Sequence, residues 1–265
     1  MQDKPAAGVS LRNNRRSKKQ AAPRGKISRP LAITGRAALA AVVLSAALVL
    51  CLRWIPPPTS AFMQQRKLER YFSKKKQPAV HYRWAGRKSI SPHMLLAVIA
   101  AEDQKFPHHL GFDFESILDA MKKNNKRGQL RGASTITQQV AKNLFLWSGR
   151  SYVRKGLEAY FTILLELLWP KIRILEVYVN IAEFGDGTYG VYAAAEAFLK
   201  KKPSQLSRRE ASLLAAVLPN PRRLSVNNPS PYVRERGRWI EGQMEQLGGI
   251  WYLRSLQGKA PGEKT

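Results

Sequence analysis

Two clusters of residue types in this 265-residue chain could do chemistry. The first is the carboxylate pair Glu102-Asp103, placed where an apolar run with Leu95, Leu96, Val98 and Ile99 stops. A carboxylate leaving an apolar wall is partly desolvated, which suits a general acid or base. Phe106, His109 and Gly111 follow at short spacing, as if a tight loop wraps the pair. The second cluster is Ser134, Thr135, Gln138, Gln139, Lys142 and Asn143. On a helix starting near Ile136, Gln138, Gln139 and Lys142 fall within an arc of about 100°, with Ile136, Val140 and Leu144 on another side. Solvated faces usually mix Glu with Lys rather than pairing two Gln with one Lys. Arg154, Lys155 and Glu158 share a similar arc of about 100° on the following helix. Their order, cation before acid, is the weaker one for simple helix stabilisation. Lys142, Arg154 and Lys155 together could hold a diphosphate, with arginine as a fork and lysine as a point charge. A carboxylate, amides, hydroxyls and cations are what sugar–phosphate chemistry needs. A surface acid at a helix end and a solvated cationic face are the bland alternatives.

The elements that must position these groups read as helices with clear punctuation. Ser91-Pro92 opens a helix to about Glu102, with Pro at its first position. Asp113 caps a helix that ends near Asn125, before Gly128. Thr135 with Gln138, and Ser207 with Glu210, have capping-box spacing. Ser151 starts a helix through Leu168 that Pro170 stops, the Ser207 helix ends at Pro219, and Ser230-Pro231 opens the last long helix to about Leu247. Val80, Tyr82 and Trp84 alternate with polar residues, a weak signal for one short strand. The chain is therefore expected to be mostly α, without repeats.

Lys and Arg outnumber Asp and Glu by 45 to 18, a net charge of +27. Such an excess implies an anionic partner: nucleic acid, phospholipid or a phosphorylated substrate. The single cysteine, Cys51, excludes an intramolecular disulfide and a cysteine-based zinc site. Residues 1–36 carry ten Lys or Arg against Asp3 and read as a disordered tail. Residues 37–52 have no charge; as a helix they would span about 24 Å, a little short of a bilayer core of about 30 Å. Arg36 and Arg53 can snorkel, and Trp54 is an interfacial anchor. Arg53-Trp54-Ile55-Pro56 is not a small-residue cleavage site, so residues 37–55 are expected as an uncleaved anchor. The basic tail then stays in the cytoplasm and everything after Arg53 lies outside it. Residues 56–90, starting with three prolines, are expected as a linker or juxtamembrane segment, residues 91–250 as the catalytic domain and 251–265 as a tail.

Three other patterns carry little. Gly185, Gly187 and Gly190 satisfy G-x-G-x-x-G, but they follow a helical pattern over residues 172–184 and no βαβ unit surrounds them. Ser73-x-x-Lys76 lies in a lysine-rich spacer, and neither S-D-N nor K-T-G occurs. His108-His109 is a poor chelating pair on any regular element. Leu144-Phe145-Leu146-Trp147 could be core or could dip into a membrane.

The motifs resemble those of the bacterial peptidoglycan glycosyltransferases, the polymerase modules of bifunctional penicillin-binding proteins and their monofunctional relatives. Glu102-Asp103-x-x-Phe106-x-x-His109-x-Gly111 is similar to the first motif, and residues 132–143 to the second. Arg150-Ser151-x-x-Arg154-Lys155-x-x-Glu158 is similar to the third, Arg173-Ile174-Leu175-Glu176-x-Tyr178-x-Asn180 to the fourth, and Glu210-Ala211 through Pro219-Asn220-Pro221 to the fifth. Five motifs in order over about residues 90–245 form a specific signature. With little chain after them, the monofunctional type is expected.

The resemblance implies a lysozyme-like, two-lobed helical domain behind a single transmembrane helix in the bacterial cytoplasmic membrane. It implies lipid II and a growing glycan strand as partners, with cell-wall proteins as possible others and no nucleic acid. Glu102 would be the general base and Glu158 the second catalytic carboxylate. Asp103, Phe106, His109, Ser134, Thr135, Gln138, Gln139, Lys142, Asn143, Arg150, Arg154 and Lys155 would bind substrate. Mg²⁺ or Mn²⁺ would bridge the diphosphate, with no metal site on the protein and no organic cofactor. Two rivals stay open. A glycan-cleaving enzyme also uses a Glu in a helical cleft but needs no cations at a leaving group. A basic nucleic-acid binder needs aromatics among its basic residues, and residues 1–36 have none.

Overall fold

The computed structural model describes residues 29–73, 77–115, 118 and 134–257. The expected helix from Asp113 to Asn125, and the Gly132-Ala133 start of the second motif, lie mostly or wholly outside them. The chain divides into two units, Met1–Val43 and Leu44–Thr265.

Helix α1 (Arg29–Leu52) is 24 residues long. It starts earlier than the charge-free run suggests, because a lone Arg36 does not end a helix built from Ala, Leu and Val. Its stretch Ile33–Leu52, 20 residues with mean hydropathy 2.2, is long and apolar enough to cross a membrane. At 1.5 Å per residue it matches a hydrocarbon core of about 30 Å.

The second unit is mostly helical, as expected. It holds α2 (Ala61–Phe72), α3 (Pro92–Glu102), α4 (Ile136–Phe145), α5 (Tyr152–Leu168), α6 (Lys171–Ile181), α7 (Gly190–Leu199), α8 (Arg208–Ala216) and α9 (Pro231–Gln246). The side chains of Ser60, Thr135, Ser151, Ser207 and Ser230 each accept a backbone N–H of the first turn that follows. That satisfies donors that the helix itself leaves unpaired. Ser91 is the exception: its hydroxyl donates to Leu206 O at 2.7 Å, and Pro92 alone starts α3.

Helix α3 is the axis of the unit. Met94 through Ala100 are all buried in sequence, with no polar stripe. It is covered by α8, α9 and the C-terminal 3-10 segment Gly249–Gln257 on one side and by α6 on another. Helix α4 packs on α5 and α6. The carboxyl end of α3 therefore emerges where the α8–α9 group and the α4–α6 group meet. Each fully buried Leu or Ile in α3 contributes about 1.5–3 kcal/mol, so this end is held firmly.

Residues 56–90 are not a linker, contrary to expectation. Met63 is buried, and Arg66, also buried, pairs with Asp186. Strand β1 (His81–Tyr82) runs parallel to β3 (Thr188–Tyr189), which pairs antiparallel with β2 (Glu183–Gly185). Asn180 ties this segment down: its Nδ2 donates to Ala85 O at 2.9 Å and its Oδ1 accepts Ala85 N–H at 2.7 Å. The glycine fingerprint is a hairpin, since α6 stops at Ile181 and β2 and β3 follow. Gly187 and Gly190 have φ of +77° and +81°, and a Cβ at Gly190 would lie 2.4 Å from Asn180 O. Residues 249–257 likewise belong to the fold, with Leu256 buried and the Tyr252 hydroxyl donating to Gln104 O at 2.7 Å.

The C-terminal end of α1 is fastened within this unit. Trp169 Nε1 donates to Val49 O at 2.7 Å. Arg173 Nη2 donates to Leu52 O and Ile55 O, both at 2.9 Å, while its Nη1 pairs with Glu176 at 2.8 Å. A cation on the last carbonyls of a helix satisfies orphan acceptors and the negative end of its dipole. Leu144 and Leu146 are core, Phe145 stacks on Phe161 at 4.5 Å, and Trp147 is exposed.

Candidate active site

Glu102 is the last residue of α3, and its side chain is 16% exposed. Gln139 of α4 donates from Nε2 to Glu102 Oε2 at 2.9 Å. Arg236 of α9 approaches Oε1 at 3.9 Å. Burial pushes the Glu102 carboxyl above the ordinary carboxylate range; Gln139, Arg236 and Lys142 oppose that shift, and Asp103 adds to it. A raised, accessible carboxyl that neighbours still favour in ionised form can accept a proton in a reaction. A cleft of about 270 Å³ opens beside it, lined by Glu102, Gln104, Lys105, Ser134 and Trp239 among others.

The cationic cluster forms on the other helices. Arg154 Nη1 and Lys155 Nζ both pair with Glu158, at 2.7 and 2.5 Å, and Glu158 is buried. Burial holds Lys142 below the usual lysine range; Glu158 and Glu102 raise it, Arg154 and Lys155 lower it further. Three cations share one carboxylate, so the cluster keeps a surplus of positive charge. Arg154 Nε and Asn143 Oδ1 are buried without a partner. An orphaned donor, Arg154 Nε, within a cluster of surplus positive charge suits a polar, anionic ligand.

Several residues expected on the substrate also hold the frame, and of these Asp103 and Thr135 line the cleft. Asp103 is buried; its Oδ2 accepts Ile136 N–H at 2.9 Å, at the positive start of α4. Its other oxygen accepts His109 Nε2 at 2.9 Å, and Gly111 N–H donates to His109 Nδ1 at 3.1 Å, which places the ring proton on Nε2. Phe106 is fully buried, with Lys171 Nζ 4.6 Å from its ring centre. Gln138 is spent in the capping box with Thr135, and the Thr135 hydroxyl donates to Gly111 O at 2.7 Å. These contacts splice the loop after α3 onto the start of α4, and so fix Glu102 against Gln139. Ser134 is exposed in the cleft, and Arg150 is exposed. Arg236, Trp239 and Tyr178 were missed as site residues. Tyr178 stood in the fourth motif without a role, and Arg236 and Trp239 lie in a basic helix that only tertiary packing brings to Glu102.

A cleft beside a partly desolvated carboxylate, with a cation cluster on the neighbouring helices within electrostatic reach of it, is an arrangement suited to group transfer. The chain belongs to the transglycosylase family, whose model matches residues 67–245. The match begins upstream of the motifs, in the folded segment before α3. The chain is 52% identical over 215 residues to a biosynthetic peptidoglycan transglycosylase of Xylella fastidiosa (strain 9a5c), covering 81% of this chain and 88% of that one. It is 53% identical over 221 residues to the protein of that name from Ectopseudomonas mendocina, covering 83% and 90%. With that of Pseudomonas syringae pv. syringae (strain B728a) it shares 54% over 213 residues, covering 80% and 89%.

Proposed function

We propose that the chain polymerises peptidoglycan glycan strands from lipid II. Glu102 acts as general base and takes the proton from the 4-hydroxyl of the GlcNAc of incoming lipid II. That oxygen forms a bond to the anomeric carbon of the lipid-linked MurNAc of the growing strand. The bond from that carbon to the diphosphate breaks with inversion, and undecaprenyl diphosphate leaves. Lys142, Arg154 and Lys155 hold the diphosphate as its charge grows, while Glu158 orients Arg154 and Lys155. The observation that carries this reading is the partly buried carboxylate on Gln139, near a cation cluster that one acid does not neutralise. Glycan cleavage by water has no use for such a cluster.

The Glu158 cluster does not fit a resident divalent ion. Both oxygens of Glu158 carry ion pairs, and no group of three His, Cys, Asp or Glu that could hold a metal occurs among the described residues. Mg²⁺ or Mn²⁺ would have the substrate's own diphosphate as its main ligand. The length and apolarity of α1 support a membrane anchor, and the membrane in this reading is the bacterial cytoplasmic one. The basic residues before it hold the N-terminus inside and leave the cleft outside.

The test is glycan synthesis from purified lipid II by wild-type protein and Glu102→Gln. Gln keeps the shape but takes no proton at neutral pH, so a loss of about 10² to 10⁴-fold is expected, with lipid II binding retained. Full synthesis by the variant would refute the base assignment, and cleavage of mature glycan without synthesis would favour a lytic enzyme.

A further inference from the structure

Tyr178 has no role in the proposed reaction, yet it stands two hydrogen bonds from the base. Its ring is buried, and its hydroxyl donates to Gln139 Oε1 at 3.1 Å. The other end of that amide, Nε2, donates to Glu102 Oε2 at 2.9 Å. An ionised carboxylate offers acceptors only. The N–H end of Gln139 must therefore face Glu102, which turns Oε1 to the opposite side, and there the phenol supplies a donor. Without it the carbonyl would be buried and unpaired, and the opposite amide rotamer would set oxygen against oxygen.

We propose that Tyr178 is a positioning residue for the base: through Gln139 it fixes the amide in the orientation that donates to Glu102. This rests on Glu102 being the base. Three helices meet at the carboxylate, and each brings its own influence. Arg236 from α9 and Lys142 from α4 favour its charged form, and Asp103 beside it opposes that form. Those effects act through space and survive the loss of a phenol hydroxyl, whereas the amide bond does not. Burial, together with the Glu102 and Asp103 charges, raises Tyr178 well above the ordinary tyrosine range, so it remains a donor throughout the working pH range.

The test is Tyr178→Phe, which keeps the ring and its packing. Synthesis from lipid II should fall roughly three- to tenfold in kcat, the equivalent of one neutral hydrogen bond, with KM little changed. The acid limb of the kcat–pH profile should move to higher pH, because the ionised base has lost a donor. Gln139→Met should move the same limb, and adding Tyr178→Phe to it should move the limb no further, since the two act as one chain. An unmoved acid limb in Tyr178→Phe, or two shifts that add, would overturn the proposal. If Tyr178→Phe melts out of the assay range, Gln139→Met carries the test, and an unmoved limb there overturns it equally. An inactive Glu102→Gln alongside such a result would leave the base assignment standing. A fully active Glu102→Gln would remove the base assignment and this proposal with it.

Discussion

Replacing Glu158 with Gln tests the cation cluster most directly. Its side chain is 4% exposed, and its partners Arg154 and Lys155 are 11% and 53% exposed. For Arg154 a charge-assisted bond of about 1.5–3 kcal/mol becomes a neutral one of about 0.5–1.5. Lys155 is half in solvent, so its loss stays below about 1 kcal/mol. The sum, about 1–2.5 kcal/mol, lies within the 5–15 kcal/mol typical of a folded domain, and the variant should fold with Tm lowered by roughly 2–10 °C. Its pH profile should change on one side only. Lys142 must be protonated to hold an anion, so activity is present below its pKa and lost as pH rises through it. That pKa is already held down by burial, and Glu158 props it up. Without Glu158 it falls further, and the alkaline limb moves to lower pH. The acid limb belongs to Glu102, whose activity disappears as pH falls through its raised pKa, and that limb should stay. A melting curve and an alkaline limb both like wild type would refute the assigned role of Glu158, and a moved acid limb would show that the two ends of the cleft are not independent.

Arg236→Met removes a cation 3.9 Å from Glu102 and should move the acid limb to higher pH while leaving the alkaline limb in place; the same profile measures it, and an unmoved acid limb would separate Arg236 from the base. Gly190→Ala puts a Cβ 2.4 Å from Asn180 O at a φ of +81° and should destabilise the unit by roughly 3 kcal/mol or more. Thermal melting checks it, and a Tm within a degree of wild type would show that α6 and the hairpin can move apart.

Helix positions were legible because their starts carry local chemistry: Ser or Thr at the cap, Glu or Gln three residues on, Pro at the first turn. The same locality made Gln139, Lys142, Arg154, Lys155 and Glu158 readable as one polar wall. What local pattern could not show was which motif residues hold the frame. Asp103 and Phe106 stand beside Glu102 in sequence, but one faces the start of α4 and the other faces the core. Gln138 and Gln139 are neighbours, and a single 100° step decides that the first caps a helix and the second meets the base. The segment over residues 56–90 misled for a different reason. Its charges suggest solvent, yet Arg66 is buried on Asp186, a partner that lies beyond any sequence window.

The Arg173 clamp on Leu52 O and Ile55 O turns the exit of the anchor helix into a fixed joint. Had residues 56–90 been a flexible tether, the cleft would sample a range of heights and tilts around that exit. With Trp169 and Arg173 gripping the last turn, the distance from the end of the anchor to Glu102 is a constant of the fold. A lengthened proline stretch after Ile55 would bulge outward without changing that distance. The cleft and the last turn of that helix therefore move as one body.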